Sequence, residues 1–364
     1  MRLHPEGEPP MKTLHVGLDD RSYDIHIAPG LLSQAGALCR AALPRAGRLA
    51  VVTDSHVGPL YGETIMSSLA GAGFQAELVT IPAGESSKCL SMLGRLYDSF
   101  TAQGLTRSDG VVALGGGVVG DMAGFAAGVY LRGIRCVQLP TTLLSAVDSS
   151  VGGKTAIDLR AGKNLAGVFL QPAAVLCDTD CLRTLPPAIF ADGAAEAIKT
   201  GILCDESLFS LFEDGTLTAA PAEVIARCVG YKAGVVERDE KEQGERRLLN
   251  LGHTVGHAIE KCSGYRLSHG HAVAAGLSII ARSAEALGWT EEPIAARIAA
   301  CLAKNGLPTG TEYPPEALAE AALADKKRSG DSITVVIPRR IGACELKKLP
   351  VRELQALIAA GWGG

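Results

Sequence analysis

One short segment limits the possible folds of this chain more than any other. The apolar run Gly110-Val-Val-Ala-Leu114 leads directly into Gly115-Gly-Gly-Val-Val-Gly120, and a helix-forming stretch opens at Asp121. A G-x-G-x-x-G turn between a strand and a helix lets the backbone approach a pyrophosphate, while the helix N-terminus offers unpaired N–H groups and the positive end of its dipole. Such a turn needs a parallel sheet to carry it, and the flanking sequence supplies one. Arg48–Asp54, Ala76–Ile81 and Cys136–Leu139 read as further buried strands, with helices expected over Tyr61–Ala72 and Cys89–Gln103 and a loop over Pro82–Lys88. Strands alternating with helices predict a parallel sheet covered on both faces. An ordinary dinucleotide turn is followed by an acid about 20 residues on, but Arg135–Pro140 holds none. The ribose would then fall to acids at other strand ends, and Asp54 and Glu85 are the candidates.

From Pro186 the texture changes. Ala-rich segments of helical period follow one another over Ala188–Leu203, Ala222–Glu237, Thr254–Cys262, Ala272–Leu287 and Ile294–Lys304. A short strand is expected at Ser332–Pro338 and a closing helix at Val351–Ala360. The fold class expected is α/β, in two domains. A Rossmann-like parallel-sheet domain, whose glycine turn suits a dinucleotide such as NAD, is expected over 1–185, and a mainly α-helical domain over 186–364.

Composition narrows the partners. The chain of 364 residues carries a net charge of −4, which gives no reason to expect nucleic acid or an acidic membrane surface. No apolar run is long enough to span a bilayer. The ten cysteines are scattered, and Met1–Met11 lacks the apolar core of a signal peptide. A reducing cytoplasm is therefore the expected location, with the cysteines serving as small core residues.

Two clusters carry chemistry. Leu251-Gly-His-Thr-Val-Gly-His257 sets His253 and His257 on one helix face, with Glu260 a turn beyond, and Ser268-His-Gly-His271 follows closely. Gly256 stands where a metalloprotease helix would carry its general-base glutamate, so that chemistry is not expected. Upstream, Asp192-Gly-Ala-Ala-Glu-Ala-Ile-Lys199 sets acids in an apolar helix. A carboxylate with two histidines makes a catalytic zinc set that leaves positions open for substrate oxygens. The second cluster is basic: Val151-Gly-Gly-Lys-Thr155 and Gly162-Lys-Asn164 place lysines among small residues, without the spacing of a P-loop. With Lys232, Arg246 and Asp325-Lys-Lys327, they point to a small polyanionic substrate.

Taken in order from about residue 50 to residue 342, these motifs resemble the 3-dehydroquinate synthase family. The resemblance rests on the glycine turn ending at Asp121, Leu139-Pro-Thr-Thr142 with Asp148, the two lysine loops, Ala195-Glu-Ala-Ile-Lys199, Leu-Asn-Leu-Gly-His253 with Gly-His-Ala-Ile-Glu260, and Ser268-His-Gly. It implies Glu196, His253 and His269 as ligands of a zinc or cobalt ion. It implies Asp54, Glu85, Lys88, Gly116, Gly117, Asp121, Thr141, Thr142 and Lys163 as NAD contacts. Arg132, Lys154, Lys163, Asn164, Lys232, Arg246, Asn250 and Lys326 fall on substrate positions, and Lys199, His257, Lys154 and Asp148 on catalytic ones.

The resemblance also implies a chemistry. The substrate would be 3-deoxy-D-arabino-heptulosonate 7-phosphate, oxidised at C5 by NAD, stripped of phosphate by β-elimination, re-reduced, and closed by an intramolecular aldol. A homodimer is implied as well, with an arginine reaching into the partner's site; Arg246 is the one expected to do so. Two positions depart from the family pattern. His271 stands where glutamate is usual, which is expected to alter the surroundings that orient the ligands, and His56 stands where asparagine is common. The rival readings are another sugar phosphate cyclase, for which Lys232, Arg246 and Asn250 are the discriminating anion set, and a metal-dependent polyol dehydrogenase.

Overall fold

The computed structural model describes residues 11–215, 220–324 and 331–363. The expectations that fall on the first ten residues, on Lys326 and on its neighbours Asp325 and Lys327 lie outside the described residues. The chain divides into two compact units, Met1–Leu185 and Pro186–Gly364.

The first unit opens with β1 (Lys12–Val16), β2 (Tyr23–Ala28) and α1 (Leu31–Ala42). Then come β3 (Arg48–Asp54), α2 (Gly58–Gly71), β4 (Gln75–Ile81), α3 (Leu90–Ala102), β5 (Gly110–Gly115), α4 (Gly117–Val129) and β6 (Arg135–Pro140). A hairpin of β7 (Lys154–Leu159) and β8 (Gly162–Phe169) precedes β9 (Ala174–Asp178). Seven strands form one sheet in the order β1-β2-β9-β6-β5-β3-β4. Every pairing in it is parallel except β1 with β2.

Side-chain alternation along the central strands builds two cores. Leu49 and Val51 of β3 pack with Val112, Leu114, Ile65 and Leu69 on one face. Ala50 and Val52 pack with Val111, Ala113, Leu96, Phe100 and Met122 on the other. Strands buried on both faces are apolar at successive positions, which is why β3 and β5 were legible as unbroken runs. Each large apolar side chain enclosed here contributes roughly 1.5–3 kcal/mol.

The second unit contains α5 (Pro187–Cys204), α6 (Glu206–Asp214), α7 (Pro221–Arg238), α8 (His253–Cys262), α9 (His269–Ala286), α10 (Ala295–Lys304) and α11 (Pro315–Ala324). A ribbon of β10 (Ser332–Arg340) and β11 (Ala343–Pro350) and then α12 (Leu354–Gly361) close it. Helices α5 and α9 are buried almost all round, from Ala191 to Leu203 and from Ala272 to Ala281. They are the core onto which α6, α8, α10 and α12 pack. No helix of the described residues is long and apolar enough to cross a membrane.

Candidate active site

In the first unit, the candidates gather at the C-terminal ends of neighbouring strands. The chain runs from β3 to β4 on one side, then places β5 on the other side of β3, so the order of connection reverses between β3 and β5. Ligands of open α/β sheets bind outside the carboxyl ends at such a point. The glycine turn follows β5, and Asp54 ends β3.

Gly116 caps α4 without any side-chain bond to the first turn. A Cβ on Gly116 would meet Thr142 Cγ2 at 3.0 Å, and one on Gly117 would meet Ser149 Oγ at 3.2 Å. Thr141 N donates to Gly115 O, which ties the β6 end to the same turn, and the Thr141 hydroxyl is buried without a partner. A bare, crowded turn at a helix N-terminus suits the diphosphate of a dinucleotide. Asp54 serves first as a local cap: its Oδ1 accepts from the N–H groups of His56 and Val57 at 2.8 and 2.9 Å.

Lys88 is the organiser on this side. It is only 5% exposed, pairs with Asp121 at 2.6 Å and donates to Asn164 Oδ1. Glu85 lies 3.9 Å from Lys88 and 3.8 Å from Lys163. Burial works against the Lys88 charge, but Asp121 and Glu85 outweigh it and raise its pKa above the ordinary lysine value. Asp158, which no sequence signal singled out, accepts from Asn164 N at 2.8 Å, and its own N–H donates to Lys88 O. Asn164 adopts a left-handed φ of 56° there. Glu85, Lys88, Asp121, Lys163 and Asn164 therefore form one cluster. Lys154 is exposed at the start of β7, Asp148 lies in a π-turn over Ser145–Ser149, and Arg132 is exposed in a turn where it and Leu131 both have positive φ.

In the second unit, Glu196 of α5 meets His253 at the start of α8 and His269 at the start of α9. Glu196 Oε1 lies 3.5 Å from His253 Nε2 and 3.2 Å from His269 Nε2, and the donor atoms of all three lie within 4.8 Å of one another. Oε1 is buried and receives no well-aligned hydrogen bond. A buried carboxylate oxygen facing two imidazole nitrogens, without hydrogen bonds to satisfy it, fits a divalent ion.

The surroundings fix both rings. His253 Nδ1 is 3.0 Å from Leu251 O, which orients Nε2 as the free acceptor. His269 Nδ1 is 3.2 Å from Glu260 Oε2. Burial drives His253 down to about 3, with Glu196 opposing, so the ring is neutral. Burial also works against a charge on His269, but its contacts with Glu196 and Glu260 overcome this and raise it to about 10. Glu196 itself is held well below the carboxylate range: burial opposes its charge, and Lys199, His253 and His269 prevail. Lys199, 2% exposed, brings Nζ to 2.5 Å from Glu196 Oε2. The exposed His257 stacks edge-on to His253 at 5.3 Å between centroids.

Arg246 departs from expectation. Its side chain is 1% exposed, and its guanidinium donates to Glu240 O of its own chain. A side chain enclosed in this way gives no support to a reach into a partner. The nearby Asn250 donates to Glu242 Oε1 at 2.5 Å, and Lys232 is half-buried on α7.

The two-unit α/β fold, a mostly parallel sheet followed by a mainly helical unit, is shared with sugar phosphate cyclases. A crystal structure of 2-deoxy-scyllo-inosose synthase with carbaglucose-6-phosphate, NAD+ and Co2+ matches with a TM-score of 0.85 at 25% identity, covering 96% of this chain and 100% of that one. The 2-epi-5-epi-valiolone synthase of Streptomyces hygroscopicus, with NAD+ and Zn2+ bound, matches with a TM-score of 0.83 at 29% identity over 99% and 98%. Within that class, residues 78–192 match the 3-dehydroquinate synthase N-terminal family and residues 193–328 the 3-dehydroquinate synthase C-terminal family. The 3-dehydroquinate synthase of Caulobacter vibrioides is 48% identical over 346 residues, 91% of this chain and 94% of that protein. The chain belongs to the 3-dehydroquinate synthase family.

Proposed function

We propose that this enzyme converts 3-deoxy-D-arabino-heptulosonate 7-phosphate into 3-dehydroquinate and phosphate, the step that the shikimate route to aromatic amino acids requires. The observation that carries the reading is the Glu196–His253–His269 trio, within a chain that resembles named 3-dehydroquinate synthases over nearly its whole length.

Zinc or cobalt would supply Lewis acidity to the substrate's C4 and C5 oxygens, and NAD a temporary home for the C5 hydride. The chain supplies the rest. Glu196, His253 and His269 hold the ion, and Leu251 O and Glu260 keep the rings aimed at it. Lys199 and His257, both beside the trio, are the groups that move protons near C5, with Asp148 and Lys154 as further catalytic candidates. The glycine turn at Gly116 and Gly117 takes the dinucleotide diphosphate, with Asp121, Thr141, Thr142, Asp54, Glu85, Lys88 and Lys163 around it. Arg132, Lys154, Lys163, Asn164, Lys232, Arg246 and Asn250 hold the phosphate and carboxylate ends, which fixes the reacting carbons between two anchored charges.

The carboxylate separates this reading from the sibling cyclases. Turnover of the heptulosonate phosphate should exceed that of an analogue lacking the carboxylate by orders of magnitude. Equal turnover of the two would favour a sibling cyclase.

A homodimer completes the proposal. Arg132, exposed in its positive-φ turn, replaces Arg246 as the arginine that would serve the partner's site. A cytoplasmic location is proposed as well, supported by ten cysteines that all remain thiols, six of them exposed to 2% or less.

A further inference from the structure

Helix α9 begins at His269, and its N-terminus is capped by another helix. Ser268 occupies the capping position, yet its hydroxyl makes no capping bond to a backbone N–H of its own first turn. It donates instead to Asp192 Oδ1 of α5, at 2.6 Å. The same oxygen accepts the backbone N–H of His271 at 3.0 Å and faces His271 Nδ1 at 2.7 Å. Ser268 Oγ and His271 Nδ1 are themselves 2.9 Å apart. Asp192 is thus a carboxylate at a helix N-terminus, where the dipole favours it, supplied from a different helix.

Two further facts give this contact a direction. Asp192 precedes Glu196 by one turn on α5, so the two project from one face. The residues it grips, Ser268 and His271, flank His269. Between them sits Gly270, where a Cβ would lie 2.3 Å from both the Cα and the carbonyl oxygen of Asp192. The two backbones therefore touch at this point, and a side chain at Gly270 would force them apart. His271 matters because a glutamate there would set a second carboxylate against Asp192, whereas the imidazole N–H donates to it.

We infer that Asp192, Ser268 and His271 form a positioning cluster that sets the separation of Glu196 and His269, and that His271 strengthens the grip of this chain on its metal ion. The inference rests on the trio being the metal site.

The test measures zinc affinity by competition with a chromophoric chelator, together with the visible spectrum of the cobalt form. The wild-type chain and His269→Ala come first; if their affinities are equal, the trio is not the metal site and the functional reading falls. Given a real difference, Asp192→Ala should weaken zinc binding by about 10–100-fold and His271→Ala by about tenfold, with a shifted cobalt absorption band. His271→Asn, whose amide N–H can replace Nδ1, should recover most of the loss. His271 is partly exposed, so its variants fold even if Asp192→Ala does not. Variants of Asp192 or His271 that melt earlier but bind zinc with wild-type affinity and an unchanged cobalt spectrum would reduce the cluster to an ordinary helix cap and overturn the inference.

Discussion

At the scale of single residues, the two ligand histidines begin from opposite protonation states. His253 is neutral, while His269, between Glu196 and Glu260, keeps its proton up to about pH 10 in the metal-free chain. An incoming ion must displace that proton, so apparent zinc affinity should rise about tenfold per pH unit between pH 7 and pH 9, releasing one proton per ion. The folding linkage has the opposite slope. A pKa raised on folding stabilises the metal-free chain fully below the ordinary histidine value, and that stabilisation fades as pH rises toward 10. Calorimetry in buffers of different ionisation heat counts the released protons, and a pH-independent affinity would contradict the account. The crowding of imidazoles was legible from spacing, whereas the choice of Glu196, His253 and His269 from among them came from the family resemblance. The roles of Glu260 and Asp192 were not legible, because a carboxylate's partner across helices depends on packing that no local pattern encodes. The enclosure of Arg246 was not legible for the same reason: a charged residue in sequence gives no sign that its own chain will enclose it.

At the scale of elements, the site depends on how closely α8 and α9 approach. Gly276 of α9 faces Gly252 at the start of α8; a Cβ there would lie 2.2 Å from Gly252 O and 2.9 Å from Gly256 N. Backbone cannot yield as a side chain can. Gly276→Ala should gain about 1 kcal/mol of helix propensity but lose more to overpacking, which typically costs about 1–3 kcal/mol. With backbone as the obstacle the upper end applies, so the net effect should be destabilising by about 1–2 kcal/mol. The helices should also part, which would weaken zinc binding. Chemical denaturation with a zinc titration checks both, and an alanine variant more stable than wild type would refute the packing argument. Elements with a full-length apolar signal were legible: β3 and β5 as unbroken buried runs, and α5, α7, α8 and α9 from their period. Edge strands were legible only in part: β4 was expected over Ala76–Ile81, though as a buried strand, and it is largely open to solvent. β11 reads Ala-Cys-Glu-Leu-Lys-Lys-Leu-Pro and is half open to solvent, so its pattern is too weak to distinguish from a loop. The hairpin of β7 and β8 owes its form to pairing rather than to apolar runs, and the β1–β2 edge lies before the first strong signal.

At the scale of the whole molecule, the proposed dimer and the proposed reaction each have a decisive test. Arg132→Ala and Lys154→Ala should each be inactive alone. Mixed after subunit exchange, they should recover activity up to about a quarter of wild type, because one site in each mixed dimer escapes both lesions and half the dimers are mixed. No recovery after confirmed exchange would place Arg132 in its own chain's site. The reaction itself is judged by its cofactor balance. A dehydrogenase sends its hydride out as free NADH, whereas a cyclase oxidises and re-reduces the same carbon and leaves NAD unchanged over the cycle. The most direct measurement follows phosphate, 3-dehydroquinate and the absorbance of reduced cofactor together, with zinc, the heptulosonate phosphate and NAD far below the substrate concentration. Phosphate and carbocycle formed in equal amounts to completion, with no accumulation of NADH, is the predicted result. NADH rising in step with turnover, or turnover halting once the NAD is consumed, would contradict it.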